Sequence, residues 1–462
     1  MKREQLGSRL GFILLSAGCA IGIGNVWRFP SMAATNGGAI FVLLYFVFLI
    51  AFGIPIMTME FAMGRAAQAS PVKMYQKLEP KGSKWHWHRF PALAGNYLLL
   101  MFYTTVAGWM LQYFVFGTQG KFHGIDQAGS AALNGEMMNN PLMMFLFATI
   151  TMVIGMVACI GGVKKGIERI TKYMMLALLA LILVLVVNSL FLENAGEGLS
   201  FYLVPNLDAV SKVDGGWFGV IVNAMGQAFF TLSIGMGSMA IFGSYLKKDR
   251  SLLGEAINIA ALDTVVAICA GLIIFPAISS QDPAILQNPD AISGPTLIFQ
   301  TLPPIFANMP MGDFWGAVFF LFLSFAALST IIAVFENIVA SWMDMGFSRL
   351  KACLINGIAL ILLAIPCILG FNVLSGFQPL GEGSVVLDLE DFLVSKLLLP
   401  VGSLLYVIFC TTRYGWGFKK FKNEANLGKG LKVGDWMRGY LTYVLPVMIA
   451  VFFVIGIVQT FA

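Results

Sequence analysis

The feature that most constrains this chain is a break in its first long apolar segment. Residues 18–30 read Gly-Cys-Ala-Ile-Gly-Ile-Gly-Asn-Val-Trp-Arg-Phe-Pro, which places glycines, an arginine and a proline where a membrane helix should continue. A helix in hydrocarbon must satisfy its own backbone, so a break is tolerated only where the freed carbonyl and N–H groups find other partners. Ions and a polar solute are the obvious partners. A second break, at residues 235–237, interrupts another apolar segment about 215 residues later, and such paired breaks indicate a transporter's binding site.

Composition supports a membrane protein. The chain is 58% hydrophobic and 11% charged, whereas a soluble domain is typically about a quarter charged. About eleven apolar segments are long enough to cross a bilayer of roughly 30 Å. We therefore expect an all-α polytopic membrane protein with eleven spans. Their approximate centres are residues 20, 50, 105, 150, 180, 230, 265, 328, 360, 402 and 450.

The distribution of Lys and Arg predicts the orientation of the chain. Basic segments alternate with loops that are poor in Lys and Arg, and basic loops stay in the cytoplasm. The N-terminus is therefore expected in the cytoplasm and, after an odd number of spans, the C-terminus outside. The net charge of +5 then reflects membrane orientation, and we expect no nucleic-acid partner. The basic segments are 65–90, 163–172, 247–250, 349–351 and 413–438.

The two breaks also predict the internal organisation. Each break opens a group of five spans, so residues 1–190 would hold spans 1–5 and residues 191–415 spans 6–10. Because five is odd, the second group must insert upside down relative to the first. This 5+5 inverted repeat brings broken helices 1 and 6 together near the midplane. Residues 416–462 would form a cytoplasmic loop and span 11, outside the repeat.

The reactive side chains argue against an enzyme. All six cysteines lie in or beside apolar segments without metal-ligand spacing, and two of the three histidines, His86 and His88, share one basic loop. Neither a catalytic cluster at a membrane face nor a nucleophile–base arrangement is visible in the sequence. We expect no catalytic residue, no organic cofactor and no metal bound by these histidines.

Five motifs together resemble the neurotransmitter:sodium symporter family, and more narrowly its bacterial, eleven-span, amino-acid-transporting branch with the LeuT fold. The resemblance covers essentially the whole chain. It implies a sodium-coupled symporter in the bacterial inner membrane that imports an amino acid by alternating access. The motifs are residues 18–30, Asn36-Gly-Gly38, Met59-Glu-Phe-Ala-Met-Gly-Arg65, Gln227-Ala-Phe-Phe-Thr-Leu-Ser233 and Ala326-Ala-Leu-Ser-Thr330.

A proton-coupled amino-acid permease with the same inverted repeat is the alternative. It would explain the broken helices and the buried acids Glu60, Asp263 and Glu336, but not the paired hydroxyls of span 8. The sequence names neither the amino acid nor the sodium stoichiometry, and it leaves pairing with a second copy of the chain open.

The resemblance implies a substrate site between the two breaks. Monoamine carriers of the family have an aspartate where this chain has Gly22, so the substrate should bring its own carboxylate. No charged residue lines the expected side-chain subsite, which predicts a neutral apolar or aromatic L-amino acid. The expected substrate-binding residues are Cys19, Ala20, Ile23, Gly24, Leu99, Tyr103, Phe230, Thr231, Ser233, Met236, Thr330 and Val334.

By the same resemblance, two sodium sites are expected. Na⁺ is a hard ion that prefers oxygen ligands, and carbonyls at an unwound turn provide them. The first site (Na1) would use Ala20, Asn25, Thr231 and Asp263. The second site (Na2) would use Gly18, Ile21, Ala326, Ser329 and Thr330.

Asp263 stands where LeuT has asparagine. Animal relatives place chloride in this neighbourhood, near a tyrosine and a glutamine matched by Tyr45 and Gln227. An ionised carboxylate buried without a partner is costly, so Asp263 should sit against a cation. A fixed carboxylate would replace the chloride, and transport should not need that ion.

Further positions match the family's gates. Arg28 and Asp391 match the outer gate, and Arg3 with Asp344 and Tyr245 the inner gate. Glu60 matches a glutamate that accepts hydrogen bonds from the unwound backbone of span 6. One departure concerns span 5, where Leu176 replaces a proline that many bacterial relatives carry ten residues after a glycine.

Overall fold

Long helices dominate the fold. The structure, a computed structural model, describes residues 4–213, 215–288, 292 and 294–461. Within these ranges the only β pairing is an isolated bridge between Arg250 and Lys429. Among the described residues, nine unbroken helices are long and apolar enough to cross a membrane: Ala39–Ala67 (span 2), Trp85–Thr118 (span 3), Pro141–Ile160 (span 4), Val163–Leu190 (span 5), Leu252–Gln281 (span 7), Gly312–Asp344 (span 8), Arg349–Gly370 (span 9), Val386–Thr411 (span 10) and Met437–Thr460 (span 11).

Span 1 is broken where the sequence predicts. Its two halves, Arg9–Ala20 and Gly24–Thr35, are bent by 56° relative to each other. Ser8 caps the first half by accepting from the Gly11 N–H, and the helix ends at Ile21, whose backbone is extended. The second half starts as one π-helical turn, Gly24–Arg28. Carbonyls near the end of the first half are thereby freed from the helical ladder.

Span 6 is broken as well. Its halves are Gly216–Thr231 and Ser238–Ser244, and between them Ser233, Gly235 and Gly237 have positive φ angles of 49°, 103° and 80°. A side chain at residue 235 would come within 2.3 Å of the Leu399 carbonyl oxygen, so this turn requires glycine. With span 1 counted as one span, length and hydropathy alone give up to ten spans. Broken span 6 would be the eleventh, and that count stays a prediction.

Span 8 lies at the centre of the bundle. In its most apolar window 83% of the residues are buried by protein, against 28% in span 11. Span 8 packs along span 3 and against the first half of span 1. Hydroxyl groups on span 8 therefore face protein rather than lipid.

Shorter helices connect the spans. Span 5 begins with a π-helical turn, Val163–Ile167, and then runs as a helix from Glu168 to Leu190, straight through Leu176. The repeat boundaries at residues 190 and 415 stay predictions. The connecting helices are Pro71–Leu78, Gln127–Met138, Ala195–Leu203, Leu207–Ser211, Pro283–Gln287, Gly294–Thr296, Leu297–Thr301, Leu302–Ala307 and Phe418–Ala425.

Candidate substrate and sodium sites

The two breaks touch each other inside the bundle. The Gln227 side chain donates to the Gly24 carbonyl at 2.8 Å, and the Ser233 hydroxyl donates to the Cys19 carbonyl at 3.3 Å. Unwound backbone from spans 1 and 6 therefore faces a common space. This juxtaposition is the one that an inverted repeat predicts.

Span 3 closes one side of this space with Tyr103. The buried Tyr103 hydroxyl accepts a hydrogen bond from the Ile23 N–H at 2.9 Å. A Cβ atom at Gly22 would lie 2.2 Å from that hydroxyl and 2.5 Å from the Thr330 hydroxyl. Because a helix N-terminus with a nearby hydroxyl favours an anion, this corner can receive a carboxylate.

A small cavity of about 20 Å³ lies between the breaks. That is room for about one water molecule. None of the residues that line it carries a formal charge. They are Cys19, Ala20, Gly22, Gly24, Leu99, Tyr103, Phe230, Ser233, Met236, Thr330, Val394 and Leu399.

Three of the expected substrate residues lie elsewhere. Ile23 lines a second, outer cavity, because its side chain projects from the second half of span 1 on the same side as Trp27. Val334 is fully buried outside the small cavity, and the Thr231 hydroxyl is engaged by Asp263. Ile23 and Val334 therefore stay predictions as substrate-binding residues, and Thr231 stays a prediction for both substrate and Na1.

Span 10 contributes two lining residues that the sequence did not point to, Val394 and Leu399. Both are apolar residues in an apolar span, so the sequence carries no local signal for them. Their place depends on how span 10 packs against the break in span 6, where a side chain at Gly235 would contact Leu399.

Asp263 is the centre of a fully buried polar cluster. One carboxylate oxygen accepts from Asn25 at 2.9 Å; the other accepts from Thr231 at 3.0 Å and from Tyr45 at 3.3 Å. Each of these three donors is a neutral side chain. Since a buried carboxylate is costly without a counter-charge, its oxygen-rich surroundings suit a cation such as Na⁺.

A second oxygen cluster joins span 8 to the break in span 1. Most of its hydroxyl–carbonyl distances are longer than the usual O–H···O length of about 2.7–2.8 Å. They suit oxygens that share one ion, because two ligands about 2.4 Å from a cation and at right angles lie about 3.4 Å apart. The Ser329 hydroxyl lies 2.8 Å from the Ala326 carbonyl and 3.4 Å from that of Ile21, and the Thr330 hydroxyl lies 3.3, 3.4, 3.5 and 3.5 Å from the carbonyls of Gly18, Cys19, Ile21 and Ala326.

The expected outer gate is closed in this structure. Arg28 and Asp391 form an ion pair at 3.7 Å, and the Ser395 hydroxyl lies between them, 3.4 Å from Arg28 and 2.6 Å from Asp391. The Arg28 guanidinium also covers the Phe230 ring, 4.3 Å from its centroid. Ser395 was missed, although its position four residues after Asp391 places both on one helix face.

An outer cavity lies beyond this gate. Its volume is about 330 Å³. Phe230 and Tyr103 line both this cavity and the small inner one. Phe230, held under Arg28, therefore forms the partition between the two spaces.

On the opposite side, the buried acid Glu336 has two partners. Glu336 is fully buried and pairs with Arg349 at 2.7 Å, and it accepts from the Tyr245 hydroxyl at 2.6 Å. Asp344 accepts from the Ser70 N–H at 2.7 Å. Arg3, the third residue of the expected inner gate, lies outside the described residues.

Glu60 supports the break in span 6, as the resemblance implies. Its carboxylate accepts from the Gly235 N–H at 2.5 Å. The side chain is fully buried and holds the unwound turn from the side of span 2. It makes no contact with the small cavity.

Paired broken helices around a central site define a secondary transporter with the LeuT fold. The family model described as the sodium:neurotransmitter symporter family matches residues 3–125 and 131–462, and the chain belongs to that family. The solved structure of MhsT in complex with L-phenylalanine is similar, with a TM-score of 0.86 and 36% identity over 98% of this chain and 100% of that one.

Sequence relatives agree with this assignment. An uncharacterized sodium-dependent transporter of Bacillus subtilis is 34% identical over 99% of both chains. One from Methanocaldococcus jannaschii is 33% identical over 97% of this chain and 89% of its own. The rat sodium- and chloride-dependent taurine transporter is 23% identical over 99% of this chain and 78% of its own. The protein is thus a sodium-dependent symporter rather than an enzyme, which decides against the proton-coupled alternative.

Proposed function

We propose that this protein imports a neutral hydrophobic or aromatic L-amino acid together with sodium, without a requirement for chloride. It would work by alternating access in a bacterial inner membrane, with its N-terminus in the cytoplasm and its C-terminus outside. Two sodium ions would bind, one at Asp263 and one at the hydroxyls of Ser329 and Thr330.

The observation that carries the amino-acid proposal is the surroundings of Gly22. The residues lining the small cavity include no carboxylate that could pair with an amine lacking its own acid group. They do include the Tyr103 hydroxyl, beside the backbone N–H groups that start the second half of span 1. A substrate carboxylate fits this corner, and carbonyls of the two breaks would face its ammonium group.

The side-chain preference rests on the apolar part of the lining. Leu99, Met236, Val394 and Leu399 surround the small cavity. A cavity of about 20 Å³ is much smaller than an aromatic side chain, so neighbouring groups must move when substrate binds. Met236 is the most adaptable of them, because an unbranched thioether repacks easily. MhsT, which is similar over its whole length, has been solved with L-phenylalanine.

The partners of Asp263 support the proposal of chloride independence. The Tyr45 hydroxyl, which matches part of the animal chloride site, donates to this carboxylate at 3.3 Å. Asp263 thus supplies, within the protein, a negative charge beside the expected Na1 site. An added anion would compete with that charge for the same donors.

Alternating access would use the contacts at the two ends of the site. Binding from outside requires Arg28 and Phe230 to swing away from the cavity, and their return to the observed arrangement would cover the substrate. Release to the cytoplasm would require the Tyr245–Glu336–Arg349 contacts to separate. Both sets are contacts between side chains, which can be broken without unfolding a helix.

Direct binding to the purified protein tests the proposal. Labelled L-phenylalanine is titrated in NaCl, KCl and sodium gluconate, with the other amino acids as competitors. We expect binding in both sodium salts, none in KCl, and competition by apolar and aromatic amino acids. Binding in KCl would contradict sodium coupling, failure in gluconate alone would contradict chloride independence, and competition only by charged amino acids would contradict the substrate class.

A further inference from the structure

A group of buried polar atoms without protein partners lies beneath the break in span 6. Buried polar atoms are nearly always hydrogen-bonded, so each exception needs an explanation such as an ordered water. Six of these exceptions fall in one region, while the others are spread over the described chain. The six are the second carboxylate oxygen of Glu60, the hydroxyls of Ser403, Tyr406 and Tyr75, and both ring nitrogens of His88.

The inner end of this group touches the unwound turn of span 6. Ser403 and Tyr406 are three residues apart in span 10, so both face the same side of that helix. A Cβ atom at Gly235 would lie 2.9 Å from the Ser403 hydroxyl, and one at Gly237 would lie 2.8 Å from the Tyr406 hydroxyl. Gly235 is also the residue whose N–H is bonded to Glu60. The two hydroxyls thus lie beside the Glu60 carboxylate.

The other end of the group approaches the basic loop before span 3. The rings of Tyr75, Tyr406 and His88 form a triangle with centroid distances of 5.0 Å, 5.7 Å and 5.7 Å. His88 is 7% exposed, and its neighbours Trp87 and Arg89 are exposed. The buried imidazole therefore lies next to a surface of the protein. The distribution of Lys and Arg predicts that this surface faces the cytoplasm.

The residue types match water-linked proton transfer better than simple packing. Phe409, which packs against the same Tyr75 ring, shows that an apolar ring suits this pocket sterically. The tyrosine hydroxyls, the serine hydroxyl and the imidazole can each donate and accept, which a relay of protons requires. Buried waters typically bond two to four such groups.

We propose that these residues form a hydrated proton path from the cytoplasm to Glu60. A proton from cytoplasmic water adds to one ring nitrogen of His88, and the other nitrogen releases its proton to the chain of waters and hydroxyls. The second carboxylate oxygen of Glu60 accepts a proton at the far end. The net change is one proton taken from the cytoplasm and one carboxylate converted to a carboxylic acid.

This protonation would act on the break in span 6. Hydrogen bonds to an ionised acceptor are roughly twice as strong as neutral ones, so the Gly235 N–H is held less firmly once Glu60 is neutral. The titratable neighbours of Glu60 are Cys19 of span 1, Tyr75, and Tyr406 and Cys410 of span 10; Tyr75 and Tyr406 also face His88. Cytoplasmic acidity would therefore loosen the turn that borders the substrate site.

Infrared difference spectroscopy on the purified full-length protein tests the path without substrate, so its result is independent of the proposed function. A rapid pH drop is followed at the band of protonated carboxyl groups. The Glu60 band is the one lost in Glu60→Gln and kept in Asp263→Asn. We expect Tyr406→Phe and His88→Gln to slow its appearance roughly tenfold or more and to leave its final amplitude almost unchanged.

Tyr113→Phe is the matched control, because Tyr113 is equally buried but bonded to the Phe299 carbonyl at 3.0 Å. Its rate should equal that of the unmodified protein. Equal rates in all variants, or a Glu60 band that does not respond to pH, would overturn the proposal. Should Tyr406→Phe fail to fold, Ser403→Ala, which removes a smaller group from the same face of span 10, answers the same question.

Discussion

Replacing Asp263 with asparagine tests the electrostatic design of the expected Na1 site. In the native protein this carboxylate accepts from Asn25 on one oxygen and from Thr231 and Tyr45 on the other. An asparagine of the same shape keeps one acceptor and turns the other into a donor. With its oxygen toward Asn25, its amide would point at the two hydroxyls, which must then turn their protons elsewhere.

The magnitude follows from what the substitution removes. A hydrogen bond to a charged group contributes about 1.5–3 kcal/mol, and the loss of one such interaction weakens Kd for Na⁺ by roughly 10–150-fold. The lost attraction between the carboxylate and a nearby Na⁺ is of similar order, about 4 kcal/mol at 4 Å and an effective dielectric constant of 20, before desolvation offsets it. The hydroxyl protons freed from the carboxylate could instead bind chloride.

The assay is a sodium titration of amino-acid binding at constant ionic strength, in chloride and in gluconate. We expect the native protein to give one Kd for sodium in both salts. Asp263→Asn should bind sodium roughly 10–150-fold more weakly in gluconate. In chloride it should recover most of that sodium affinity. Asp313→Asn is the control, since it removes the same charge from the outer end of span 8, beside the exposed His123. Sodium binding by Asp263→Asn that is unchanged in gluconate would refute the reasoning.

Three further substitutions probe the site and its support. Gly22→Ala should abolish substrate binding, because its methyl group would lie 2.2 Å from a tyrosine hydroxyl, whereas Gly135→Ala meets nothing within 4 Å and should bind normally. Ser329→Ala should weaken sodium binding about fivefold, or ~1 kcal/mol. The control is Ser324→Ala, which removes a hydroxyl bonded to its own helix and should leave the sodium affinity unchanged in the same titration. Equal effects of the two substitutions would contradict the second sodium site. Arg349→Gln should lower the free energy of unfolding by about 3–5 kcal/mol, because it leaves the buried carboxylate of Glu336 without its counter-charge. Replacing Glu336 with glutamine as well should largely restore the stability measured by thermal unfolding.

Much of the fold could be read from the sequence because membrane helices are long and locally specified. Each apolar segment predicted near residues 50, 105, 150 and 180 became an unbroken span. The breaks were equally readable, since the glycines at positions 235 and 237 adopt positive φ angles that few other residues tolerate. Hydropathy and backbone preference act over short stretches, so no tertiary information was needed.

The site was predictable where a residue's own chemistry pointed to it. Asp263 was placed at the expected Na1 site by resemblance, and its chemistry predicted that it needs partners; three donors surround it. Val394 and Leu399, by contrast, look like any other residues of an apolar span. Ile23 and Val334 were assigned to the site by resemblance; Ile23 lines the outer cavity and Val334 is buried outside the small one, so their role in binding stays a prediction.

By itself, then, the sequence determined that the chain spans a membrane, where spans 1 and 6 break, and that Glu60, Asp263 and Glu336 are buried. Those properties follow from local composition and backbone geometry. Only the tertiary structure decided that Ser395 lies between Arg28 and Asp391, that Arg349 pairs with Glu336, and that the buried polar groups of span 10 lie between Glu60 and His88. Some of these contacts join residues that are distant in sequence, and others depend on the direction of one side chain. Both are set by how whole helices pack against each other.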